Sequence, residues 1–203
     1  MNKELIGIIV GVIVSFSLIP YAWRVYHGKV QPVLSSWFLW TIIAVALLVT
    51  YWGAGAKESV WMAVVGFINP LLITILVAVK FPEKIRLSKL EQICLFLGIC
   101  SIALWFVLRS HKSLVQYALY VALLADVCAG IPTMDCYWRN PLVDRPFAWI
   151  LFSIASVINI FAVSECTVSN YAYPVYMAVG SMTITLPLII YRIRKRIPLV
   201  EWI

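Results

Sequence analysis

The sequence predicts an all-α, polytopic membrane protein of seven transmembrane helices. Hydrophobic residues fill 63% of the 203 positions and charged residues only 12%. The mean hydropathy of +0.95 lies far above that of an ordinary soluble domain. Apolar runs of about 20 residues, each enough to span a bilayer core of about 30 Å, recur along the chain with short polar connections between them. Seven such runs leave no room for a separate soluble domain.

The first run, Leu5 to Trp23, follows Lys3 as a secretory signal would. It is about 19 residues long, too long for a typical signal core, and no small-x-small cleavage site follows, so it reads as a retained helix. After "HGKVQP" comes the second run, Ser35 to Trp52, and after "GAGAKES" the third, Val60 to Val79. The segment "KFPEKIRLSKLE" leads to the fourth, Ile93 to Leu108, and the fifth covers Val115 to Met134. The sixth, Phe147 to Val163, follows "RNPLVDRP", and the seventh, Pro174 to Tyr191, follows "SECTVSNYAY". Gly, Pro, Ser and charge in these connections mark segments in water.

Charge sets the orientation. The amino terminus and the second, fourth and sixth connections hold Lys3, Lys57, Arg109 and Lys112. The opposite side holds Arg24, Lys29, Lys80, Lys84, Arg86, Lys89, Arg139, Arg145, Arg192, Arg194, Lys195 and Arg196. Basic connections stay in the cytoplasm, so the amino terminus is expected outside and the carboxy terminus inside, which requires an odd number of spans. The expected location is the plasma (cytoplasmic) membrane, with the lipid bilayer as a partner. The net charge of +7 does not indicate nucleic acid, because the basic residues lie between apolar runs rather than on a soluble face. Trp23, Trp37, Trp52, Tyr173 and Tyr191, near the ends of the runs, suit an interfacial belt. The five cysteines show neither a disulfide framework nor a CxxC pair, so no metal or cofactor is expected.

An internal repeat divides the chain. "SLIPYAWRVYHG" and "CAGIPTMDCYWRN" each place a proline shortly before a basic connection, pairing Pro20 with Pro132. The same interval pairs Trp37 with Trp149. "WMAVVGFINPLL" and "YMAVGSMTITLPLI" share Met-Ala-Val, then a glycine, then a proline. The order of these matches implies two parallel three-helix repeats, 1–90 and 113–203, around a linker helix in 91–112, a 3+1+3 plan. In parallel-repeat transporters the substrate sits near the midplane, where the repeats meet.

With Pro20 and Pro132, the basic connections after them and "PVLSSWFLW" entering the second helix, the chain resembles the SWEET and PQ-loop (MtN3/saliva) transporters in their full-length form. Where that family carries Pro-Gln, this sequence reads Pro20-Tyr21 and Pro132-Thr133. The resemblance implies uniport of a mono- or disaccharide by alternating access. It also implies that Asn69, from the third helix, and Trp52, toward the end of the second, line the substrate pocket. An interfacial anchor is the other reading of Trp52. Where a second pocket asparagine would stand, the seventh helix offers Ser181, Thr183 and Thr185, which can bond a polyol or their own helix.

Depth adds further candidates. Asp126 lies about 11 residues into its helix, roughly 16 Å along the axis and close to the midplane. A charged aspartate there costs about 2.5 to 3.5 kcal/mol, so it should face a wet cavity, find a partner or be protonated. Proton coupling through Asp126 follows if it titrates during transport, and bonding to a neighbouring helix is the alternative. Asn69 precedes Pro70, which frees a carbonyl beside the amide. Asn159 is a second intramembrane amide, available to substrate or to a neighbouring helix. Pro20, Pro70, Pro132 and Pro187 are candidate hinges, or static bends. Gly7, Gly11 and Ser15 read as a packing seam.

The expected partner is a small-molecule substrate, and a homo-oligomer is compatible with the sequence. A receptor of the same fold that transports nothing is the alternative. A retinal protein needs a lysine in the last helix, and Pro174 to Tyr191 has none. His27 and His111 fall in connections on opposite sides, which argues against haem. No nucleophile-base or metal constellation marks an enzyme.

Overall fold

Helix starts and stops follow local chemistry. The Asn2 side chain accepts hydrogen bonds from the Glu4 and Leu5 amides and opens α1 (Lys3–Tyr26), which ends before Gly28 at φ 67°. The second helix, α2 (Leu34–Gly53), runs out into Gly55 at φ 103°, and a 3₁₀ turn (Glu58–Val60) leads into α3 (Trp61–Lys80). A capping box, in which Ser88 and Glu91 satisfy each other's backbone amides, starts α4 (Lys89–Leu108). Then come α5 (Gln116–Arg139), α6 (Pro146–Ile160) with proline at its first position, and α7 (Val168–Arg194), capped by Thr167. A second 3₁₀ turn (Leu199–Trp202) closes the chain.

This computed structural model describes residues 2–29, 33–82, 84–111 and 113–202. Val30, Gln31, Pro32 and Glu83 of the first and third connections, and Lys112, counted above in the fourth, lie outside the described residues. Among the described residues the secondary structure is entirely helical. Six helices are long and apolar enough to cross a membrane. The sixth in sequence, α6, has 15 residues, about 22 Å of rise. It stops three residues short of the expected Val163, because the Phe161 and Ala162 amides turn back to Ile158 and Asn159 in a tighter final turn. In contrast, α5 and α7 run further at the basic end than the apolar runs indicate. The added turns carry polar and charged residues, Asp135 and Arg139 in α5 and Arg192 and Arg194 in α7.

Leu5, Ile8, Val12, Phe16 and Ile19 project outward from α1 at intervals of three or four residues. Water would leave such a face as a large bare apolar patch, whereas lipid tails solvate it. The surface therefore suits a bilayer.

Six helices pack in cyclic order: α1 on α3, α3 on α2, α2 on α5, α5 on α7, α7 on α6, and α6 back on α1. The remaining helix, α4, lies outside this cycle against α2 and α5. One apolar core, including Val10, Ile43, Tyr51, Met62, Leu119 and Tyr173, draws on all seven helices. At the end carrying the basic connections the packing separates. Val25, Leu34, Ile73 and Val77 cluster among α1, α2 and α3, whereas Tyr137, Ile184 and Leu188 cluster with Trp149 among α5, α6 and α7.

Similar contacts occur between α2 and α3 and between α6 and α7. The Thr41 hydroxyl of α2 meets that of Thr74 in α3 at 2.9 Å, and the Ser153 hydroxyl of α6 meets that of Thr185 in α7 at 2.9 Å. Trp37 packs edge-on against Trp40, and Trp149 against Phe152. Ser153, Trp149 and Phe152 follow Thr41, Trp37 and Trp40 by the interval that separates Pro20 from Pro132.

Candidate functional site

Near the middle of the bundle the polar groups are paired across helices. The Tyr176 hydroxyl of α7 donates to the Asp126 carboxylate of α5 at 2.7 Å. One turn away on α7, Tyr173 is buried and stacks on Tyr51 of α2, with ring centroids 4.6 Å apart. Tyr173 is therefore a core residue and not part of the expected interfacial belt. Its hydroxyl fits where Gly66 has no side chain; a Cβ there would lie 3.4 Å from the oxygen. The Tyr51 hydroxyl donates to the Asn170 carbonyl at 2.9 Å and shares a 2.7 Å hydrogen bond with Ser59. Pro174, four residues after Asn170, lacks the N–H that would otherwise bond this carbonyl. Three tyrosines in "NYAYPVY" are an unusual density at the head of an apolar helix, and that was the available signal for this cluster.

The other residues expected at a site divide by surroundings. Asn69 is half-buried and donates to the Val14 carbonyl of α1 at 3.1 Å, so its amide ties α3 to α1. Trp52 is 67% exposed at the end of α2. Asn159 is fully buried in α6, and neither its Nδ2 nor its Oδ1 has a hydrogen-bond partner. The Ser181 and Thr183 hydroxyls bond the Ala178 and Val179 carbonyls of their own helix. The structure thus joins Asp126 to Tyr176, whereas Trp52 is exposed, Asn69 is tied to α1 and the Thr183 hydroxyl bonds its own helix. Gly7 and Gly11 form a seam as expected: a Cβ at Gly7 would collide with the Glu58 carbonyl, and one at Gly11 would touch Trp61. Ser15 is exposed instead.

Polar ties link the halves at each end. At the basic end, Asp144 in the α5–α6 connection accepts from the Tyr137 hydroxyl at 2.8 Å, the Trp149 indole at 3.1 Å and the Arg145 amide at 2.7 Å. Arg24 of α1, the neighbour of α6, pairs with it at 3.7 Å, both side chains being mostly buried. Beneath them, buried Arg192 of α7 donates to the Pro141, Leu188 and Asp144 carbonyls. At the opposite end Lys57 pairs with Glu165 at 2.8 Å in the open, and the Lys3 ammonium donates to the Val163 carbonyl at 2.6 Å. The hydrogen bond and charge of Glu165 raise the Lys57 ammonium above its ordinary value. In the sequence Arg24 and Asp144 are two charges in separate connections, and nothing there pairs them.

Both described cavities lie on the contacts between halves at the basic end. One of about 230 Å³ sits between α2, α4 and α5, and a much smaller one separates Pro20, Tyr21 and Arg24 from Asp144, Phe147 and Trp202. No family model, curated protein or solved structure matches the chain.

Proposed function

We propose that the chain is a small-solute membrane transporter working by alternating access, built as two three-helix units, 1–90 and 113–203, around a linker helix in 91–112. The observation that carries this reading is the division of the apolar packing at the basic end into one cluster per unit, bridged by the Arg24–Asp144 tie. An end held this way can part without exposing a shared apolar core, which is what rocking of one unit against the other requires. The cyclic helix order supports the same plan, because exchanging α1, α2 and α3 for α5, α6 and α7 maps every contact in the cycle onto another. The repeated hydroxyl bridge and aromatic pair add to it.

In this reading the basic end faces the cytoplasm of a cell bounded by its plasma membrane, and the amino terminus lies outside. The resemblance to the SWEET and PQ-loop families points to a mono- or disaccharide as substrate. Asp126, bonded to Tyr176 near the midplane, is the group placed to carry a proton if transport is coupled.

Counterflow of labelled glucose and sucrose in proteoliposomes tests the proposal. Saturable exchange without an imposed ion gradient is the expected result, and its absence across the sugars tried would favour the receptor reading. Proton coupling predicts that Asp126→Asn flattens the pH dependence of uptake; identical profiles in the two proteins would remove it.

A further inference from the structure

We propose that the cavity between α2, α4 and α5 binds a small organic ammonium group. Its volume of about 230 Å³ leaves room for several waters or a small organic group. Ser36, Trp40, Ser88, Glu91, Cys128 and Thr133 supply the polar and aromatic lining, and none of the lining residues is a Lys, Arg or His.

Each feature of the lining favours a cation that donates hydrogen bonds. Glu91 brings a negative charge. One of its oxygens accepts from the Ser36 hydroxyl at 3.2 Å and the other from the Ser88 amide at 2.8 Å, which leaves each with a further acceptor direction. The positive end of the α4 dipole is already answered by Glu91 itself, whose charge opposes an anionic guest. Trp40 also lines the cavity, and an indole ring attracts a cation.

A freed carbonyl completes the set. Pro132 lacks the N–H that would reach the Cys128 carbonyl, and both residues line the cavity. Among the described residues no side chain donates to that carbonyl. The carbonyls freed by Pro174 and Pro187 are, in contrast, taken by Tyr51 and by the Trp138 indole. A neutral sugar would leave the half-buried carboxylate without a counter-charge, whereas an ammonium supplies both the charge and the donors.

The cavity runs from the first two turns of α2 and α4 to Cys128, in the middle of α5. Two sources can present the same chemistry: a soluble amine, or the headgroup of an ethanolamine lipid. The inference is independent of transport, since occupancy is read directly.

The purified full-length chain, in an amine-free detergent and buffer, is titrated with ethanolamine and separately with short-chain phosphatidylethanolamine while thermal unfolding is followed. Short-chain phosphatidylglycerol and glucose serve as controls. A saturable rise in unfolding temperature with either amine is expected, its half-saturating concentration increasing at least tenfold in Glu91→Gln. Glutamine keeps the cap of α4, so the variant should fold. Trp40→Leu, which leaves the cap untouched, should also weaken the response. Saturation by ethanolamine identifies a soluble amine as sufficient, and a response confined to the lipid identifies the headgroup. No saturable response to either amine, or equal responses in the wild type and both variants, overturns the assignment.

Discussion

Asn159 presents the sharpest residue-scale contrast between what its chemistry requires and what surrounds it. A fully buried amide without a partner costs about 1 to 3 kcal/mol. Leucine matches it in size without that cost, so Asn159→Leu should raise thermal stability by about that amount in detergent-solubilised protein. A fall in stability would mean that the amide serves a bound water or solute. Depth in the sequence located Asp126 and Asn69 as residues needing partners, and each has one, Tyr176 and the Val14 carbonyl. The identity of those partners was not legible, because it depends on which helices touch. The hydroxyls of Ser181 and Thr183 illustrate the same limit: a serine or threonine in an apolar run looks alike whether it faces a solute or bonds back to its own helix.

At the scale of the element, prolines that look equivalent in sequence differ in what holds them. In α7 the carbonyl freed by Pro187, that of Thr183, receives the Trp138 indole at 3.1 Å, and the one freed by Pro174 receives Tyr51. Braces of this kind make static bends. Pro132 stands beside a cavity, and no side chain among the described residues braces its freed carbonyl, which leaves α5 able to flex there. Replacing Pro132 by Ala should therefore slow uptake several-fold while the amount of folded protein, read by size-exclusion chromatography, stays unchanged. Unaltered uptake would remove the hinge. The helices themselves were readable from apolar run length, because a bilayer imposes a minimum span. Their ends were less so: a run of hydropathy does not register the tighter turn that stops α6 at Ile160, nor the polar turns that extend α5 and α7.

For the whole molecule, the two ends are fastened differently. Lys57 and Glu165 meet in the open, where screening by salt makes such a pair worth little. Asp144 is buried with three hydrogen-bond donors and a guanidinium. Asp144→Asn should lower stability by about 1 to 3 kcal/mol in thermal denaturation and change the rate of counterflow; a variant unchanged in both would show that the tie holds nothing together. Internal matches such as Pro20 with Pro132 and Trp37 with Trp149 suggest a repeat in the sequence, yet they could not reveal the order in which helices pack. Nor could the charge count single out Arg24 from the other basic residues of the same end, since its partner lies far along the chain. The separated clusters at that end also have a chemical consequence. Cys128 lines the cavity between α2, α4 and α5, which reaches toward the basic end, and packs against the shared core. In a chain whose other cysteines are replaced by serine, a membrane-impermeant maleimide should modify Cys128 rapidly when added to the basic face and slowly when added to the opposite one. A single thiol would thus report which face is open at rest, before any solute has been found.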